Sequence, residues 1–238
     1  MTGRRQLDGQ NVVVIGGTAG IGLETARLAK AEGASLILAA RNADRLAEVG
    51  GELGAAIASV DATDFDRLGR FFGAIAGPVD HVLVTGPGPS YTSLEEFDLE
   101  GARREVDAHL FLPMQLARYA RGKVRPGGTL IFIGGTGGRR PVAGYAFFSA
   151  LTAAGPALVR TLALDLAPVR VNMIAAGFVD TPLAARLLGD KLAARREELR
   201  TTLPIGRVVG PADVAALAVH LMANTAVTGA TYDIDGGQ

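Results

Sequence analysis

Residues 11–33, NVVVIGGTAGIGLETARLAKAEG, decide the fold. The run NVVVIG (11–16) is apolar at consecutive positions, as a strand buried on both faces must be. It runs directly into Gly16-Gly17-Thr18-Ala19-Gly20-Ile21-Gly22, and LETARLAKAEG then continues with helical spacing. Glycines at such a strand-to-helix turn let the backbone bend tightly and come close to a pyrophosphate. The free N–H groups of the first helical turn then meet the phosphate charge. The stretch therefore predicts the first β-α unit of a dinucleotide-binding domain, with Gly16, Thr18, Gly20, Ile21 and Gly22 at the cofactor.

The same alternation continues outward. Short β-type runs occur at 11–16, 35–40, 55–60, 81–86, 128–134, 169–175 and 231–235, with helix-like segments at 20–32, 42–53, 64–76, 93–122, 143–167 and 211–223. Strands separated by helices pair in parallel with helices on both faces, so the expected fold is α/β: one doubly wound, Rossmann-like parallel sheet of about seven strands. No internal repeat or linker divides residues 1–238, and a single domain is expected. An Arg-, Ala- and Leu-rich insertion at 183–203 follows the sixth strand. Ligands of such sheets bind beyond the carboxyl ends of the strands, so this helical insertion is either a substrate lid or a surface hairpin.

Composition narrows the class. Lys plus Arg equals Asp plus Glu at 24 each, which gives no summed attraction to nucleic acid or an anionic membrane. There is no cysteine, hence no thiolate nucleophile or cysteine-bound metal, and three scattered histidines (His81, His109, His220) offer no metal cluster. No signal-type leader and no unbroken apolar run of about 18 residues is visible, so a cytoplasmic protein is expected. The second strand ends Ala39-Ala40-Arg41-Asn42 with no carboxylate for a ribose 2′-hydroxyl. Arg41 suits a 2′-phosphate instead, which favours NADP(H) over NAD(H); otherwise it is an ordinary solvated residue.

With these residues the chain resembles the short-chain dehydrogenase/reductase family over essentially its whole length. The resemblance is carried by the glycine spacing, Asp61 after the third strand, Arg170-Val171-Asn172, Gly177-Phe178-Val179-Asp180-Thr181-Pro182, and Thr228-Gly229 with Asp235-Gly236-Gly237. It implies that Asp61 lies beside the adenine and that Gly177, Val179 and Thr181 hold the nicotinamide end. It also implies a small-molecule substrate and a homodimer or homotetramer joined through the helices at about 95–122 and 143–167. After the fourth strand, where the family has Asn-Asn-Ala-Gly, this chain has Thr85-Gly86-Pro87-Gly88, so Gly86 keeps the backbone while the asparagine contacts are lost.

In the family a Tyr donates the proton, a Lys four residues later activates it, a Ser holds the substrate oxygen and an Asn anchors a water. Between TLIFIG (129–134) and LVRTLALDLAP (158–168) the register needs no gap. It places Gly135 at the Ser position, Phe148 at the Tyr position, Thr152 at the Lys position and, upstream, Asp107 at the Asn position. An atypical member lacking the tetrad is thus expected. Tyr145 resembles the Tyr of the enoyl-reductase branch in its spacing and is the candidate catalytic residue; otherwise it packs at a helix start. Thr136 is a possible displaced hydroxyl, Asp107 and His109 are poorly placed to share a helix face, and Arg139 and Arg140 either meet an anionic substrate or are solvated. Phe147, Phe148, Phe178 and Leu183 are expected as apolar walls. Two functions follow: an atypical NADP(H)-dependent oxidoreductase of a small or medium carbonyl or enoyl compound, or an NADP(H)-binding pseudoenzyme, sensor or non-redox protein on the same fold.

Overall fold

The computed structural model describes residues 5–86, 88, 91–140 and 142–238. Seven strands form one sheet: β1 (Asn11–Ile15), β2 (Ser35–Ala40), β3 (Ala56–Ser59), β4 (Val79–Thr85), β5 (Val124–Gly135), β6 (Arg170–Ala176) and β7 (Thr231–Ile234). Their order is β3-β2-β1-β4-β5-β6-β7 and every pairing is parallel. The order reverses between β1 and β4, which opens a crevice beyond their carboxyl ends.

The connecting helices are α1 (Gly20–Ala31), α2 (Ala43–Leu53), α3 (Phe65–Ala74), α4 (Leu99–Val106), α5 (Leu112–Ala120), α6 (Ala146–Asp165), α7 (Pro182–Leu188), α8 (Leu192–Thr202) and α9 (Pro211–Ala223). Alternation along β1 explains the two cores. Val13 and Ile15 join Leu68, Phe72, Leu116 and Val159 on the face covered by α3, α5 and α6. Val12 and Val14 join Leu23, Leu46, Val214 and Ala218 on the face covered by α1, α2 and α9.

Two helical expectations shift in detail. The segment expected as helical from 93 begins at Leu99, because the Asp98 carboxylate accepts the Glu100 and Gly101 N–H groups as an N-cap. Between α4 and α5 the helix widens into a π-helical turn, Asp107–Phe111, where the Leu112 N–H reaches back to Asp107. Pro113 carries no N–H for the normal helical bond to the His109 carbonyl, which accounts for the slipped register.

Helix α6 is, among the described residues, the one long and apolar enough to span a bilayer, with a mean hydropathy of 1.4. One face of it is buried in the fold. Leu151, Gly155, Val159, Leu162 and Ala163 form the buried face, and the helix packs against β6. The opposite face carries Leu164, 80% exposed.

A polar cluster lies at the amino ends of β1, β4 and β6. The Asp80 carboxylate accepts from the Asn11 backbone N–H at 2.7 Å and from Arg125 at 2.8 Å. His81 is 3% exposed and pairs with Gln10 through Nε2. Burial, aided by the charges of Arg170 and Arg125, pushes its pKa down to about 3. The native state therefore holds the neutral imidazole, while the unfolded chain takes up a proton below about pH 6.5. Above that pH the group is indifferent; as pH falls from about 6.5 toward 3, each unit costs up to about 1.4 kcal/mol of stability. Urea unfolding at pH 7.5 and 5 should show a loss of about 2 kcal/mol that His81→Leu abolishes; an unchanged pH slope in the variant contradicts this assignment.

Candidate active site

Close glycine contacts assemble the crevice. Gly16, immediately after β1, has φ +85°. A Cβ there would lie 3.0 Å from the Thr85 carbonyl oxygen and closer still to Thr85 Oγ1. Thr85, at the end of β4, donates its hydroxyl to the Ile15 carbonyl at 3.2 Å, which fixes the turn against its neighbour strand. Gly22 is buried in the first turn of α1, and a Cβ on it would sit 2.9 Å from the Gly16 carbonyl carbon. Gly20, at φ +52°, faces Thr181 from the far side of the crevice, 3.4 Å from where its Cβ would be.

The start of α1 is open. Ala19 is the N-cap residue and provides no side-chain acceptor, and the first turn contains no acidic residue. These are the conditions under which helix N–H groups remain available to an anion. Thr18 and Ile21 flank this turn and are half-buried.

Arg41, exposed after β2, lies near Asp61, after β3. Burial raises the Asp61 pKa, but hydrogen bonds from the Thr63 backbone and hydroxyl, together with the charge of Arg41, outweigh it and hold the carboxylate below its ordinary value. Both Thr63 bonds fall on Oδ1, so Oδ2 keeps its acceptor capacity. A residue that sequence reasoning missed joins them: Arg45 Nε donates to the Thr18 carbonyl at 3.4 Å. Its spacing of four from Arg41 was the available signal, since a residue in the first turn of α2 can reach back over the glycine turn.

On the other side of the crevice, Gly135, Phe148 and Thr152 come together. A Cβ on Gly135 would stand 3.3 Å from both Phe148 Cζ and Thr152 Cγ2. Gly137 lies still closer under the Phe148 ring, its would-be Cβ 2.5 Å from Cε1. The Thr152 hydroxyl turns back into its own helix, within 3.0 and 3.1 Å of the Phe148 and Ser149 carbonyls. Asp107 lies on the π-helical turn, which packs on α6. His109 is 3.2 Å from Glu105 and not paired with Asp107. Thr136 is buried.

Tyr145 is the N-cap residue of α6 and stacks on Tyr91, with ring centroids 4.8 Å apart; Tyr91 also meets Phe148 edge-on at 5.0 Å. Tyr91 was not singled out from sequence, although its place just after the fourth strand puts it on the ligand side by topology. Pro87, in the loop between, lies outside the described residues. Gly86 has open space around it, and Gly88 closes on Leu183 of α7.

Thr181 N-caps α7, its Oγ1 accepting the Ala184 N–H at 3.2 Å, which leaves the hydroxyl hydrogen free to donate. Val179 is buried and forms a bridge with Val209. Gly177 is required by the carboxyl terminus: a Cβ would meet Asp235 Cβ at 2.6 Å and Gln238 Oε1 at 2.9 Å. Phe178 bonds through its N–H to the same glutamine oxygen. Asp180 pairs with Arg196 of α8 at 2.7 Å, tying the 183–203 insertion to the end of β6. Arg139 and Arg140 are engaged internally, with Asp233 and Asp235. They anchor the segment after β5 to β7 and so are neither simply solvated nor free for a substrate.

A separate cleft of about 670 Å³ opens between Pro78, Lys123 and Pro168, at the opposite end of the sheet. Two of its cations are occupied, Lys123 by the Ile75 carbonyl and Arg125 by Asp80. No group of His, Cys, Asp and Glu among the described residues is arranged to hold a metal ion.

The family described as enoyl-(acyl carrier protein) reductase matches residues 16–238. Galactitol 2-dehydrogenase (L-tagatose-forming) of Cereibacter sphaeroides is 34% identical over 98% of this chain and 96% of its own. The MalC reductase/Diels-Alderase of Malbranchea aurantiaca superposes with a TM-score of 0.91 at 26% identity, over 98% of each chain. A small-chain dehydrogenase solved in complex with NADPH superposes with a TM-score of 0.82 at 26% identity, over 97% of this chain and 98% of that one.

Proposed function

The chain belongs to the short-chain dehydrogenase/reductase family of nicotinamide-dependent oxidoreductases, and from that premise we propose that it is an NADP(H)-dependent member reducing a small or medium carbonyl or enoyl compound without the family's usual tetrad. The observation that carries the cofactor assignment is the uncapped, carboxylate-free start of α1 beside the Gly16–Gly22 packing. The start of α1 would hold the dinucleotide diphosphate, Asp61 the adenine end, and Thr181, whose hydroxyl hydrogen is free, the nicotinamide end. Arg41, with Arg45 beside it already paired to Glu48, would meet an adenosine 2′-phosphate, which supports NADP(H) over NAD(H). Arg41→Ala should raise the NADPH dissociation constant about tenfold and leave that for NADH within about twofold; equal losses for both cofactors contradict a 2′-phosphate contact.

When bound, the reduced nicotinamide supplies hydride to the substrate carbon. The developing charge on the substrate oxygen needs a proton donor, and the position beside Gly135 holds Phe148, which has none. Tyr145 is the nearby phenol at the head of the same helix, and we assign it that role. Tyr145→Phe should lower turnover about a hundredfold with NADPH affinity unchanged; unaltered turnover reduces Tyr145 to a packing ring. The activity itself is tested by NADPH oxidation against a panel of ketones, enones and quinones. NADPH binding without oxidation by any member of the panel defeats the reading.

The insertion at 183–203 acts in this reading as a substrate lid, held to the core by Asp180–Arg196. Association as a homodimer or homotetramer is supported by the exposed Leu164 on α6 and by the exposed Phe111 and Met114 on the α4–α5 arm. A second reading, dinucleotide binding without redox turnover, is favoured by one observation: Phe148 fills the space over Gly135 and Gly137 while Thr152 turns its hydroxyl away.

A further inference from the structure

The ring cluster above Gly135 contains one member to which neither hydride nor proton transfer gives a role. Tyr91 lies against Tyr145 at 30° between planes and against Phe148 at 70°, and close by Phe97 meets Phe147 edge-on at 5.6 Å. Tyr91 is thus stacked on Tyr145 and meets Phe148 at a steep angle, yet the residue remains 47% exposed. Two rings from the start of α6, Tyr145 and Phe148, hold it in place, so an incoming flat molecule meets a surface already ordered.

We infer that the open side of Tyr91, buttressed by Tyr145 and Phe148, is a stacking platform for a flat conjugated carbonyl compound, such as an aryl ketone, and selects it over a saturated ketone of the same size. The inference rests on the reading of this crevice as the substrate side of a dinucleotide site. Its chemistry is that of the rings: aromatic faces attract other π systems in offset or edge-on geometry beyond what burial of equal area gives.

The test uses the full chain saturated with NADP+, so that no turnover occurs, and measures acetophenone and cyclohexyl methyl ketone by ligand-observed NMR titration. Acetophenone should bind about tenfold more tightly. Tyr91→Phe should keep most of that preference, and Tyr91→Leu, apolar but not aromatic, should reduce it to about twofold or less. Equal binding of the two ketones, or a preference that survives Tyr91→Leu, overturns the platform. NADP+ binding is checked by titration of the same protein before the ketones are added. NADP+ bound without ring preference sinks the platform alone, whereas no NADP+ binding removes the dinucleotide reading and the platform with it.

Discussion

Gly22→Ala is expected to weaken NADPH binding about a thousandfold. The added methyl would stand 2.9 Å from the Gly16 carbonyl carbon and closer still to its oxygen, and both are backbone atoms of the turn proposed to cradle the diphosphate. Neither can rotate aside as a flexible side chain would. The turn must shift relative to α1, and Thr85, bonded to the Ile15 carbonyl, resists the shift from the other side. Misplacing two N–H donors to a charged phosphate costs about 3–6 kcal/mol, which sets the scale of the loss. Gly51→Ala is the matched control. It lies within α2 with nothing within 4 Å of its would-be Cβ, so the same chemical change should leave NADPH affinity unaltered and stability equal or higher. Isothermal titration of both variants checks this; a Gly22→Ala protein that binds NADPH within tenfold of the parent removes the close approach from the explanation.

Arg170→Met should destabilise the fold by about 3–5 kcal/mol. The guanidinium is 5% exposed and donates to five carbonyls: Gly127 at 3.2 Å, Leu221 at 2.7 Å, Met222 at 2.8 Å, Asn224 at 3.0 Å and Val227 at 3.2 Å. Leu221 and Met222 belong to the last turn of α9, whose carbonyls have no partners within the helix, and a cation there also meets the negative end of the helix dipole. Burial alone pushes the Arg170 pKa down. Methionine fills a similar volume but leaves those oxygens buried and unbonded. Arg170→Lys should fall between, because an ammonium keeps the charge and cannot span the same fan of acceptors. Urea unfolding measures the loss. A change below about 1 kcal/mol contradicts the capping role. Arg170 begins β6, at the end of the sheet away from Gly16, so cofactor affinity of the folded variant should not move.

That same Arg170 shows how far sequence reading reaches. Arg170-Val171-Asn172 was legible as a resemblance, while its physical work was not, because four of the five acceptors lie 51–57 residues later in the chain. The fold class was readable because burial of β1 on both faces leaves its mark on consecutive residues, and the alternation of such runs with helical segments points to a sheet covered by helices on both faces. Where local chemistry decides a boundary, the signal was present and passed over: Asp98 as an N-cap and Pro113 as the cause of the π-helical turn. Contacts created by the strand order were out of reach. Arg139 meets Asp233 across 94 positions, Gly20 meets Thr181, and Tyr91 meets Phe148 only once β4 and β5 are adjacent. The candidate site was therefore legible as a set of positions and illegible as a set of neighbours.

The central claim is that an NADP(H) site and a proton donor other than position 148 together perform hydride transfer. It is tested most directly by incubating the protein with NADPH carrying deuterium on one face of C4 and analysing products from a mixed panel of aryl ketones, enones and quinones by mass spectrometry. Deuterium should appear in at least one product from one labelled face and not from the other. Tight binding of NADPH with no deuterium transferred from either face would contradict the claim and leave a dinucleotide-binding protein without redox turnover.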